Sequence, residues 1–133
     1  MISRKVLMIA CAIGLPGAGA VAQSVTDLQR AKLCQRQSTM AYAAGDIGTS
    51  KIRMSNDGGW CWIDISATYA SMQYVPSYRV VQPPAHGELL MGSFEKKARI
   101  AYRPAKDFAG EDSYMLMNQL TNSERSVTLT ITR

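Results

Sequence analysis

The sequence predicts an antiparallel all-β sandwich of about seven short strands with a short N-terminal helical or irregular segment, and three observations lead there. From Ser50 onward polar and apolar residues alternate with a period of two, Lys51 and Arg53 against Ile52 and Met54. Turn signals recur about every eight to twelve residues, the spacing of a sandwich. Near the C-terminus, Ile100-Ala101-Tyr102-Arg103-Pro104 reads as a strand, Phe108-Ala109-Gly110-Glu111-Asp112-Ser113-Tyr114 as a corner, and Val127-Thr128-Leu129-Thr130-Ile131 as a closing strand.

Taken in order, Ser24, Thr26 and Asp27 stand ahead of Leu28, Ala31 and Leu33, an N-cap pattern followed by a short helical turn. The small residues of 41–48 read as a loop. Ser50 to Met54 is the first strand, and Asn56-Asp57-Gly58-Gly59 turns the chain into Trp60 to Ile65. Met72 and Tyr74 alternate next, Pro76 interrupts as at an edge or bend, and Tyr78 and Val80 resume before Pro83-Pro84 stops the strand. Glu88 to Met91 and Ala98 to Tyr102 form the next pair, with 92–97 between them. Tyr114 to Asn118 and Val127 to Ile131 close the fold across the polar turn 119–125.

The N-terminus sets the compartment. Met1 to Lys5 is short and basic, Val6 to Val21 is apolar or small apart from Pro16, and Ala20-Val21-Ala22 precedes Gln23. That is the pattern of a secretory signal peptide, and the apolar run is shorter than the roughly 20 residues a membrane span needs. Leu7-Met8-Ile9-Ala10-Cys11 faintly resembles a lipoprotein cleavage box, but the apolar core before Cys11 is too short for one. The expected division is a signal peptide at 1–22, an N-terminal segment at 23–48 and a sandwich at 49–133, the product being periplasmic or secreted from a bacterium without a transmembrane segment. Processing at Gln23 leaves about 110 residues, enough for one core.

Removing Cys11 with the leader leaves Cys34 and Cys61, an even pair in an oxidising compartment, so a disulfide is expected. A metal or redox pair would want Cys-x-x-Cys or further ligands, and His86 is the one histidine. Losing Arg4 and Lys5 takes the net charge from +5 to +3, with both signs interspersed. Lys96-Lys97-Ala98-Arg99 is the basic cluster; it reads as a solvated hairpin or edge that discourages edge pairing, and nucleic acid is not expected as a partner.

The span from about Tyr78 to Thr132 resembles the bacterial Ig-like and cadherin-like repeats of secreted and cell-surface proteins. The matching residues are Pro84 with His86-Gly87, then Tyr102-Arg103-Pro104, then Phe108 to Tyr114, then Val127 to Ile131. The resemblance implies an Ig-like sandwich that spaces, adheres or binds, here in single copy and without the Asp-rich calcium sites many such repeats carry. In physical terms, Gly110 permits a turn that a Cβ would obstruct, Pro104 ends its strand, and Phe108 plugs the end of the core. Asp112 accepts backbone N–H groups, and Tyr114 packs its ring inward with its hydroxyl bonded to nearby backbone.

No catalytic residue is expected. His86 has Pro84, Ala85 and Gly87 as neighbours, with no partner or nucleophile in sequence, and the acidic residues stand singly in turns. Met115 and Met117 share a strand face and their thioethers would suit copper, but the Met-x-x-Met runs or clustered histidines of a copper carrier are missing, so no cofactor is expected. Alternation in Trp60-Cys61-Trp62-Ile63-Asp64-Ile65 puts Cys61, Ile63 and Ile65 toward the core and Trp60, Trp62 and Asp64 on the opposite face. Those three are the candidate binding residues. Exposed, the indoles would stack on a glycan or anchor a protein partner; otherwise the N-terminal segment folds over them as a flap tethered by Cys34. The expectation is an exported, non-catalytic domain whose partner is an envelope protein or a glycan.

Overall fold

The computed structural model describes residues 24–38 and 47–133. The leader at 1–22, the cleavage position, Cys11, Met40 and residues 41–46 of the expected 41–48 loop lie outside the described residues, whereas Ile47 and Gly48 are strand rather than loop.

All regular structure among the described residues is β. The strands are β1 (Cys34–Ser38), β2 (Ile47–Ser55), β3 (Cys61–Ile65), β4 (Ala67–Tyr69), β5 (Met72–Tyr74), β6 (Tyr78–Gln82), β7 (Gly87–Phe94), β8 (Lys97–Pro104), β9 (Gly110–Asn118) and β10 (Glu124–Thr132). One sheet runs β1-β2-β10-β9-β6, a second β3-β8-β7, and β4-β5 is a separate hairpin. Every pairing is antiparallel except β10 with β2, which run parallel from Glu124↔Ile47 to Thr132↔Ser55.

The period-two pattern is what closes the core. Ile52 and Met54, Val127, Leu129 and Ile131, and Tyr114 and Leu116 point from the larger sheet toward Cys61, Ile63, Ile100 and Tyr102 of the smaller one. Lys51, Arg53, Thr128 and Thr130 alternate outward into water, with Gln35 and Gln37 beside them around a hollow of about 490 Å³ on the solvated face.

Strands outnumber the expectation for local reasons. The segment that reads as an N-cap and helical turn makes only a single turn, Asp27 N–H donating to the Ser24 carbonyl at 3.2 Å, and no helix forms among the described residues. The chain then extends, and Cys34-Gln35-Arg36-Gln37-Ser38 joins the large sheet as its edge, within the stretch expected to be separate from the sandwich. Its residues are mostly polar because one side of an edge strand is solvated. The second addition is the β4-β5 hairpin.

Cys34 and Cys61 form the expected disulfide, with Cα atoms 5.4 Å apart and a sequence separation of 27. It ties the edge of the large sheet to the first strand of the small one. Replacing both by serine is expected to cost about 3.5 kcal/mol, from the loop entropy returned to the unfolded chain. Urea unfolding of the double variant measures it, and a midpoint equal to that of the native protein would refute it.

Candidate functional site

The face carrying Trp60, Trp62 and Asp64 is covered. The segment 24–31 crosses it as a strap, and its backbone docks on Trp60, just ahead of β3: Ala31 N–H donates to the Trp60 carbonyl and Trp60 N–H to the Gln29 carbonyl, both at 2.8 Å. The approach is close enough that a Cβ on Gly59 would lie 2.6 Å from Ala31 N, so glycine is required there. Farther along, Val25 sits over Gly92 of β7, where a Cβ would meet a valine methyl at 2.8 Å.

Beneath the strap the aromatic rings alternate with guanidinium groups. Trp60 is 3% exposed, with the Arg103 guanidinium carbon 4.6 Å from its ring centroid. Trp62 is half-buried between Arg30 at 5.0 Å and Arg99 at 4.6 Å, and Arg99 also lies 4.2 Å from the Phe94 ring. Asp64 is not free to bind. Its carboxylate accepts Nε–H and Nη2–H of Arg99 at 2.8 and 2.9 Å, while Nη1–H of Arg99 donates to the Val25 carbonyl at 3.2 Å. The hydrogen bonds that Arg99 donates to Asp64 hold the guanidinium charged and its pKa above the ordinary value, against the opposing effect of burial. Arg99 is thus buried rather than solvated with its neighbours Lys96 and Lys97, which corrects the reading of that basic cluster. A sugar-stacking platform needs an open aromatic face, and this one is occupied by the protein itself.

The C-terminal corner is architectural, with one role reassigned. Asp112, buried, accepts N–H of Ala85 and Ser113 on Oδ1, and N–H of His86 and the Tyr102 hydroxyl on Oδ2, at 2.8–2.9 Å. Burial alone would push its carboxyl upward, but these donors outweigh it and hold the pKa below the ordinary carboxylate range. Burial and the carboxylate together push the Tyr102 phenol up. Gly110 has φ +135°, Pro104 closes β8, and Phe108 stacks on His86 with centroids 4.2 Å apart. Tyr114 was expected to bond through its hydroxyl. Its ring is buried in the core, but among the described residues its hydroxyl has no hydrogen-bond partner; Tyr102, one strand earlier, makes the corner bond.

His86 lies at this corner, donating its backbone N–H to Asp112, accepting Ala105 N–H on its carbonyl and resting its ring on Phe108. Met115 and Met117 lie on the outer face of β9, and Arg79 Nη2–H donates to the Met117 sulfur at 3.5 Å. Among the described residues no three His, Cys, Asp or Glu side chains gather as metal ligands, and no helix is long and apolar enough to cross a membrane.

The surface that remains is the end of the sandwich where β3 passes through the β4-β5 hairpin into β6 and β9 turns into β10. The hairpin closes on Ala70 and Ser71, both in the left-handed region at φ 52° and 65°. Such a turn normally recruits Asn-Gly or Asp-Gly, and each L-residue there costs about 1 kcal/mol. Directly across it sit Tyr69 and Met72, 57% and 72% exposed. Leu120 in the β9-β10 turn is 57% exposed and Val75 is 42% exposed. The two connections are locked together. Asn118 Nδ2–H donates to the Tyr74 hydroxyl at 2.9 Å, Ser77 Oγ–H donates to Gln119 Oε1 and Gln119 N–H to the Ser77 carbonyl, both at 2.9 Å. Asn118 Oδ1 accepts Leu120 N–H at 2.9 Å, shaping the turn that displays Leu120.

Sequence reading missed this end. Met72 alternates with Tyr74 and so passes for an ordinary strand residue, and Ala70-Ser71 carries no turn signal. Comparison with known proteins finds no matching family model, no matching curated protein and no matching solved structure.

Proposed function

We propose that this chain is an exported, non-catalytic binding domain of Ig-like construction that engages an envelope partner through the apolar end formed by the β4-β5 hairpin and the β9-β10 turn. Two observations support the Ig-like reading: a sheet of β2-β10-β9-β6 facing β3-β8-β7, and the parallel β2–β10 pair. The observation that carries the function is the placement of Tyr69, Met72 and Leu120. Large apolar side chains this exposed are ordinary singly, but here hydrogen-bonded connections hold several of them at one end. A rigid aromatic beside a pliable thioether is a fitting pair of anchors for a protein surface.

The test is capture of a partner from envelope extract by the immobilised protein, before and after Tyr69→Ser with Met72→Ser. The double variant is expected to lose capture while its unfolding free energy stays within about 0.5 kcal/mol of native, since both side chains already lie mostly in water. Undiminished capture by the double variant would refute this site.

A further inference from the structure

We propose that the free edge of β7 is a pairing surface for a second copy of this chain, the two β7 strands running antiparallel about a twofold axis at Leu90. β7 is the outer strand of the small sheet and among the described residues pairs only with β8, in unbroken register from Gly87↔Pro104 to Phe94↔Lys97.

Which backbone groups face outward follows from the turn. Glu95 and Lys96 link the two strands, both in the left-handed region at φ 51° and 65°. Such a tight hairpin makes Phe94 and Lys97, the flanking pair, exchange both hydrogen bonds. Alternation then assigns Gly92↔Arg99, Leu90↔Ala101 and Glu88↔Arg103 as bonded pairs. Gly87↔Pro104 falls among the unbonded pairs, where the missing N–H of Pro104 costs nothing, so the assignment agrees from both ends. Gly87, Leu89, Met91 and Ser93 therefore direct their N–H and C=O groups away from β8. Among the described residues no hydrogen bond reaches these groups from another strand or turn.

The two edges of the large sheet are guarded and this one is not. β6 carries a register shift between Val80 and Gln82 and is bracketed by Pro76 and Pro83-Pro84. β1 is short and polar. β7 has no proline and no bulge, and Glu88 is its one charge; Met91, at its centre, is 40% exposed beside an open groove of about 340 Å³ that Val75 and Tyr78 also line. Edges without such protection template strand addition.

The occupant follows from self-complementarity. About a twofold at Leu90, Leu89 meets Met91 of the second copy, Gly87 meets Ser93, Glu88 meets Gly92 and Leu90 meets its own counterpart. Apolar residues oppose apolar, small oppose small, and no charge opposes a like charge. Every outward-facing N–H and C=O finds a partner in that register. A single strand pair is a small interface, so the dimer is a reversible one.

Sedimentation equilibrium of the purified protein over a wide concentration range tests this. The native chain is expected to dimerise reversibly. Met91→Pro removes one outward N–H without touching a bond to β8, and is expected to leave a monomer. Leu90→Lys and Leu90→Glu each place like charges across the twofold and should weaken self-association about tenfold or more, while mixing the two variants restores a heterodimer. A native chain still monomeric at about 1 mM, or a dimer indifferent to these changes, would overturn the proposal. So would a failure of the mixed variants to pair, a result that stands even if the proline variant does not fold.

Discussion

Asp112→Ala is expected to lower the stability of the fold by about 3–5 kcal/mol, the range for removing one partner from a buried charged network. The carboxylate is the common acceptor for N–H of Ala85, His86 and Ser113 and for the Tyr102 hydroxyl, and both Asp112 and Tyr102 are buried. Its loss strands donors from three different parts of the chain: the turn entering β7, the strand β8 and the start of β9. Asp112→Asn tests the charge rather than the shape, because an amide turned to accept from Ala85 and Ser113 must present its NH₂ to the His86 N–H, which is also a donor, and obliges the Tyr102 O–H to turn away. Tyr102→Phe removes one bond and is expected to cost about 1–2 kcal/mol, with a coupling to Asp112 visible in a double-mutant cycle. Chemical denaturation of the three variants measures these values, and an Asp112→Ala variant within 1 kcal/mol of native would show that water replaces the carboxylate.

The same hub sets the acid limit. A carboxyl whose folded pKa is depressed contributes stability that is fully present above its unfolded pKa and is lost as pH falls toward the folded one. Asp112 is held low by its donors, so part of the native stability should disappear as the pH is taken below about 4. Asp57 is also held low, first by Lys32 N–H and then by Gly59 N–H and the Ser55 hydroxyl, against the effect of burial. Asp112→Asn should therefore flatten the acid dependence without abolishing it.

How much of this was legible in the sequence depended on whether the signal was local. Asn56-Asp57-Gly58-Gly59 could be read as a turn because the residues act on their own backbone: Asp57 accepts Gly59 N–H, and Gly58 takes φ +88°. The core faces of β2, β9 and β10 were legible because alternation is enforced wherever one face is buried. β1 was not, since its Gln and Arg residues earn their place by pairing with β2 rather than by any period of their own. The β4-β5 hairpin was hidden by a turn built from alanine and serine, which depends on its anchorage to Asn118. The choice between Tyr102 and Tyr114 as the corner tyrosine turned on which hydroxyl reaches Asp112, a fact of three dimensions. Arg99 was the costliest omission. Beside Lys96 and Lys97 it reads as one more surface cation, but alternation along β8 turns it inward beneath the strap, where Asp64, Trp62 and Phe94 enclose it.

Trp60→Ala is expected to cost about 3–5 kcal/mol and Trp62→Ala only about 1–2, although the two indoles are two residues apart at the start of β3. The difference lies in the strap. Trp60 is covered at the point where the Gln29 and Ala31 backbone bonds to its own backbone, so truncation opens a cavity that the strap cannot close without breaking those bonds. Trp62 keeps part of its ring in water and loses chiefly its stacking with Arg30 and Arg99. Emission separates the two in the native protein: the Trp60 component is expected to be blue-shifted and protected from a soluble quencher, and the component lost in Trp62→Ala to be the more readily quenched. If the pair served instead as an open binding platform, both truncations would leave stability nearly intact and both components would quench alike. That outcome would require the strap to leave β3 in solution, giving up the Gln29 and Ala31 backbone bonds and the Arg99–Val25 bond together. The disulfide opposes such a release, because Cys34, just beyond the strap, is joined covalently to Cys61, the neighbour of Trp60.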